Sequence, residues 1–267
     1  MDRLRAKAKE LLSTKTADVV IGYEEGATGV VRPAFITNPE NSDKLIFDER
    51  CVNNLAVYLT KKEVRKLGKM AIVATLPTMR SIMMLLAEKQ ITPDKFIVLG
   101  ISANNELLDI DNVEVLKGYI EKSELGCPEK IKTLISDIQK LTQQEKFEYW
   151  TKELSKCVKC YACRQACPMC FCIRCAVDVN QPQWITVQAN THGNMEWHIL
   201  RAMHLAGRCV SCGECGRVCP VGIPCHLLTM FLAEYVHDRF NVYAGTDDNM
   251  KSVLSTYEPN DKESFIV

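Results

Sequence analysis

The sequence has no run of the roughly 18 apolar residues that a membrane-spanning helix needs. It has no net charge either, since 33 Lys and Arg balance 33 Asp and Glu. No global field therefore draws it to nucleic acid or to an anionic membrane. Residues Met1–Glu10 read as a charged helix without the apolar h-region of a secretory leader. No G-x-G-x-x-G is present, which removes the usual sequence ground for a Rossmann dinucleotide site. With an ordinary apolar fraction of 47%, these absences lead to the expectation of a cytoplasmic globular chain with no nucleic-acid partner and no direct membrane insertion.

Cysteine, by contrast, is abundant and clustered. Twelve of the fourteen lie from Cys157 to Cys225, with only Cys51 and Cys127 outside. The chain reads Cys157-x2-Cys160-x2-Cys163-x3-Cys167-Pro168, then Cys209-x2-Cys212-x2-Cys215-x3-Cys219-Pro220. Two copies of this spacing are the ligand pattern of paired 4Fe–4S clusters, and in two-cluster ferredoxins the fourth cysteine of each serves the other cluster. The spacing predicts one cluster on Cys157, Cys160, Cys163 and Cys219, and a second on Cys209, Cys212, Cys215 and Cys167. Zinc is the alternative, but zinc sites use cysteine pairs rather than triplets followed by Cys-Pro. A disulfide framework belongs with small secreted chains.

Three more thiols follow at once, Cys170, Cys172 and Cys175. They read either as a third site, iron–sulfur or zinc, with Cys225 or another residue as fourth ligand, or as packing around the clusters, with one of them replacing a predicted ligand. Cys225 alone reads equally as core or ligand, and Cys51 and Cys127 read as buried small apolar residues. Gly213 and Gly216 are expected where the backbone approaches sulfur. The five histidines are not at ligand spacing, and His198 and His204 are expected on helix surfaces or at an interface. Lys156, Lys159, Arg164, Arg174, Arg201, Arg208 and Arg217 crowd the region, where positive charge offsets the anionic clusters and could guide an acidic partner.

Residues 1–125 read as α/β. Strand candidates are Asp18–Tyr23, Val31–Thr37, Met70–Thr75 and Lys95–Ile101, with Gly26–Gly29 as a loop. A helix over Met79–Lys89 between the last two makes a βαβ unit and hence a small, mostly parallel sheet. Residues 126–155 read as a polar helical linker with an apolar stripe of Ile131, Leu134, Ile135, Ile138 and Leu141. The α-helical dicluster domain occupies 156–240, with helices over Glu196–Ala206 and Leu227–Val236, and 241–267 is a polar tail.

Met70–Met83 followed by Gln90–Ile101 resembles the β-subunits of deazaflavin-reducing hydrogenases and related formate dehydrogenases. There a strand leads into a G-x-P-C-type turn and a helix, and the next strand ends in Gly-Ile. Phe35–Thr37 through Asp48, and Cys51–Tyr58, are similar to the iron–sulfur relatives encoded with such enzymes. The cysteine half looks like the helical dicluster modules of those relatives and of heterodisulfide-reductase-type subunits. The resemblance implies an electron-transfer subunit in a multi-subunit complex of anaerobic metabolism, with redox subunits as partners. It also implies FAD, but Pro77-Thr78 stands where the family has Pro-Cys. FAD is accordingly not expected, and the α/β half is read as a docking domain. No catalytic residue is assigned, and a non-catalytic relay is expected rather than an enzyme acting alone. The other readings are a flavin-containing subunit acting on a deazaflavin or nicotinamide, and a zinc-binding interaction module.

Overall fold

The structure is a computed structural model that describes residues 1–178 and 181–256. Helix α1 (Asp2–Ser13) buries Leu4, Ala8, Leu11 and Leu12, at spacings of three and four, in the same core as the sheet. Strand β1 (Val19–Glu25) turns through Gly26–Gly29 into antiparallel β2 (Val31–Ile36), with Val20 opposite Ile36 and Glu25 opposite Val31. A two-residue strand, β3 (Leu45–Ile46), pairs antiparallel with the far end of β1 at Tyr23. The short helix α2 (Lys62–Arg65) precedes β4 (Met70–Ala74), α3 (Leu76–Ala87) and β5 (Phe96–Gly100).

Strand β4 is parallel to both β1 and β5, in the order β2-β1-β4-β5. The expected βαβ unit therefore forms the parallel heart of the sheet. A central parallel strand is covered on both faces, and all five residues of β4 are buried. Helix α3 begins three residues earlier than the sequence suggests, because Pro77 occupies its first turn, where no N–H is needed. It covers the sheet with Met79, Ile82, Met83, Leu85 and Leu86. Helix α4 (Val113–Glu121) is capped by Asn112, whose side chain accepts from the Val115 N–H at 3.0 Å.

The polar segment after Pro128 forms two helices, α5 (Glu129–Lys140) and α6 (Gln143–Ser155). A capping box breaks them apart: the Thr142 N–H donates to Glu145 at 2.8 Å and the Glu145 N–H donates to the Thr142 hydroxyl at 3.3 Å. Leu141 falls in this break, and α5 buries none of its stripe completely. One-turn helices α7 (Ala162–Gln165) and α9 (Glu214–Arg217) lie inside the two cysteine motifs, with α8 (Thr191–Leu205) between them and α10 (Cys225–Phe240) after them. Helix α8 starts earlier than expected because Asn190 caps it, accepting from the Gly193 N–H at 2.9 Å. Gly207, at φ +69°, follows its end as expected.

Residues 241–256 form no helix or strand and return to the α/β half, and the expected tail beyond residue 256 lies outside the described residues. Met169, Leu205, Val210 and Ala244 belong to the same apolar core as the sheet. The α/β and helical regions are thus joined by shared packing. Among the described residues no helix is long and apolar enough to cross a membrane.

Candidate metal centre

The two motifs fold alike, residue for residue. Lys159 and Ser211 stand at equivalent positions in the left-handed region, at φ +51° and +58°. Each points its N–H back to the first sulfur of its own motif: Lys159 N to Cys157 Sγ at 3.3 Å, Ser211 N to Cys209 Sγ at 3.4 Å. Two positions on, Tyr161 and Gly213 repeat the left-handed turn, at φ +58° and +73°. Helices α7 and α9 then present Cys163 and Cys215. Left-handed residues alternate with sulfurs so that the chain curls and its thiols share one concave side, the arrangement expected for wrapping an inorganic cubane.

The last cysteine of the second motif lies among sulfurs of the first. Cys157, Cys160, Cys163 and Cys219 line one small cavity, together with Trp197, His198, Ile223 and Cys225. Cys219 receives the Ile223 N–H at 3.3 Å. Cys157, Cys163 and Cys219 pack on a small helical core around Leu154 and Ile223. Cys167, by contrast, packs on the main core, as do Cys209 and Cys212. Cys219 thus shares a cavity with three sulfurs of the first motif, and Cys167 shares the main core with two sulfurs of the second. Cys215 departs from this grouping: it is a buried member of the small helical core, on which Cys157, Cys163 and Cys219 also pack.

All fourteen cysteines are free thiols, so no disulfide framework is present. Burial pushes the Cys209 thiol up to about 12 and raises Cys157 and Cys212 as well. Such sulfurs become thiolates when a metal takes the place of the proton. Backbone N–H donors on the sulfurs and a small, mostly apolar pocket lined by four thiols suit a 4Fe–4S cluster. Among the described residues no three His, Cys, Asp or Glu converge closely enough to hold a single metal ion.

Cys170, Cys172 and Cys175 line a separate cavity of about 250 Å³ with Arg164, Trp197, Arg201, His204 and Arg208. Cys225 is in the wall of the first cavity instead, and its thiol donates to the Cys215 carbonyl at 3.0 Å. This placement separates it from the three sulfurs to which the spacing offered it as a fourth partner. Cys51 and Cys127 are buried, as their isolation in the sequence suggests. Cys127 is close to the second motif, with Ser211 Oγ at 3.7 Å.

His204 is exposed, as expected, but His198 is buried against Trp197, with ring centroids 4.9 Å apart. Burial, Arg201 and Lys159 lower it to about 4, so it is neutral. It faces inward because α8 turns one side toward both motifs. Gly216 serves a different purpose from the one its position suggests: a Cβ there would stand 2.0 Å from the His226 ring, so its smallness lets α9 pack on α10. Several basic residues also point inward. Lys159 donates to the Thr186 carbonyl, Arg208 pairs with Glu88 across the two halves, and Arg217 bonds Glu214 and the Val52 carbonyl, both at 2.9 Å.

The α/β half grips the second motif directly, which the sequence did not signal. The buried Glu214 carboxylate accepts from Asn53 Nδ2 at 3.0 Å and from the Asn54 N–H at 3.1 Å. Asn54 also donates to Ser81 Oγ at 2.9 Å on α3. Asparagines 53 and 54 thus tie the loop before α2 to the helix that carries Cys215.

Residues 153–223 match the family described as 4Fe-4S dicluster domain. The helical region is therefore an iron–sulfur, electron-transport module. The chain is similar to the F420-dependent formate dehydrogenase subunit beta of Methanocaldococcus jannaschii, at 27% identity over 151 residues, 52% of this chain and 39% of that one. It is also 53% identical over 30 residues to the F420-dependent formate dehydrogenase 1 subunit beta of Methanococcus maripaludis, covering 11% of this chain and 8% of that one. It thus spans less than half the length of these curated relatives. The relationship to oxidoreductase β-subunits expected from Met70–Ile101 and the cysteine motifs is borne out.

Proposed function

We propose that this chain is a relay subunit of a multi-subunit anaerobic oxidoreductase, passing electrons through two clusters with crossed ligation. Cys157, Cys160, Cys163 and Cys219 hold the first, and Cys209, Cys212, Cys215 and Cys167 hold the second. The observation that supports this reading is that Cys219 lines one cavity with Cys157, Cys160 and Cys163. Bound there, the clusters supply one-electron transfer. The chain itself fixes their separation, excludes water and sets their surroundings.

The two sites differ in access, and this gives the relay a direction in space. Cys160 is exposed, and the exposed Val158 and Val221 flank it on the wall of the first cavity. The second motif is packed beneath the α/β half through Asn53, Asn54 and Glu214. The first site is the open port and the second the interior station. The relatives are named as formate dehydrogenase subunits, which supports redox subunits of that class as partners; hydrogenase- or heterodisulfide-reductase-type partners and a cytoplasmic location belong to the proposal. FAD has no part in this reading.

Cys170, Cys172 and Cys175 share a cavity with three arginines, which supports a third iron–sulfur site completed by a ligand other than Cys225. Iron and acid-labile sulfide counting on the anaerobically purified chain tests these readings together. Two cubanes give about eight of each per chain and three give about twelve, from four irons per cubane. Zinc in place of iron contradicts the relay, and resolved flavin absorption bands support the β-subunit type that carries its own flavin.

A further inference from the structure

Among the described residues two arginines are buried, Arg80 and Arg201. Arg80 is satisfied by carbonyls: all three of its nitrogens donate to Ala244 or Val210, at 2.8–3.1 Å. Arg201 is not. It projects from α8, the helix between the two cysteine motifs, and only its Nη2 has a carbonyl partner, Cys163 O at 2.9 Å. Its Nε is buried without a hydrogen-bond partner. Among the described residues no carboxylate forms an ion pair with it. A buried charge without a counter-ion is strongly unfavourable, so its compensation must come from what surrounds it.

What surrounds it is sulfur. Burial pulls the Arg201 guanidinium down, while Cys167, Cys170, Cys215 and Cys163 push it well above its ordinary range. In the ligation proposed above, Cys163 belongs to the first cluster, and Cys167 and Cys215 to the second. Its Nη2 bonds the Cys163 carbonyl, and Cys163 packs on the small core that contains Cys215, so this buried cation lies close to a ligand of each set. We propose that Arg201 is a positioning residue set between the two clusters, whose fixed charge offsets theirs and raises the reduction potential of both. This rests on the crossed ligation. A nearby cation favours the state with one more electron, so its removal lowers the potential. Arg201 itself exchanges neither electron nor proton, because its guanidinium stays charged throughout.

The test compares the full chain, purified without oxygen, as wild type, Arg201→Lys and Arg201→Gln. Iron and sulfide are counted, and each cluster is titrated against dithionite with EPR detection. The expected result is a full iron complement in all three, with potentials shifted to more negative values in Arg201→Gln and held closer to wild type in Arg201→Lys. Full iron with wild-type potentials in Arg201→Gln overturns the proposal. If Arg201→Gln loses iron, the lysine variant decides: retained iron supports a role for the charge, whereas loss in both overturns it. A wild-type chain without iron contradicts the relay itself and is distinguishable from either result.

Discussion

Arg80 on α3 holds the Ala244 carbonyl with two nitrogens at once, Nε at 3.0 Å and Nη2 at 2.8 Å, while its third nitrogen reaches Val210 at 3.1 Å. One side chain of the α/β half thus pins both the start of the second cysteine motif and the segment after α10. Tyr243 lies under the guanidinium, 5.7 Å from its ring centroid. Gly245 closes the joint, because a Cβ there would stand 2.1 Å from the Arg80 carbonyl oxygen.

Arg80→Met should leave two buried carbonyls short of donors and destabilise the chain by about 2–4 kcal/mol. The effect should be greatest locally. Limited proteolysis should cut within 241–256 in the variant before it cuts elsewhere. Gly245→Ala should loosen the same segment, since φ is +77° and the added methyl meets backbone rather than a movable side chain.

Glu214→Gln should weaken the contact between the halves by about 1–3 kcal/mol, because one buried oxygen that accepts hydrogen bonds becomes a donor beside Asn53 and the Asn54 N–H. Chemical denaturation followed by cluster absorbance should show loss at lower denaturant. If only the first cluster were sensitive, the docking of the α/β half on the second motif would be wrong.

Gly213→Ala should cost roughly 1–2 kcal/mol from its left-handed backbone alone, at φ +73°. Gly213→Asn should cost less, since asparagine tolerates that region. Iron occupancy measured after identical reconstitution should rank wild type, Asn, then Ala. At the equivalent position of the first motif the same turn is carried by Tyr161, whose ring packs 5.5 Å from Trp197. Tyr161→Gly therefore trades relief of backbone strain for lost aromatic packing.

Much of this was legible in the residues because local chemistry dictated it. Pro168 and Pro220 after each fourth cysteine, and the x2 spacing before it, identified the cofactor class. The apolar run at Met70–Ala74 and the following Pro77 marked the buried strand and its helix. What stayed hidden depends on contacts distant in the chain. Nothing around Asn53 or Arg80 signals that they meet Glu214 and Ala244, more than a hundred residues away. His198 looked like a surface residue because the burial of that face of α8 is set by the two motifs folding over it. The break between α5 and α6 could have been read from Thr142 and Glu145, three apart, but the apolar stripe running through Leu141 masked it.

The crossed ligation is the claim on which the relay depends, and paired serine variants test it most directly. Cys157→Ser and Cys219→Ser, more than sixty residues apart in sequence but on one cavity wall, should each remove or perturb the same cluster in the EPR spectrum of the reduced, anaerobically purified chain. Cys209→Ser and Cys167→Ser should together affect the other. If Cys219→Ser instead altered the signal that Cys209→Ser alters, each motif would hold its own cluster and the account of a crossed pair would be contradicted.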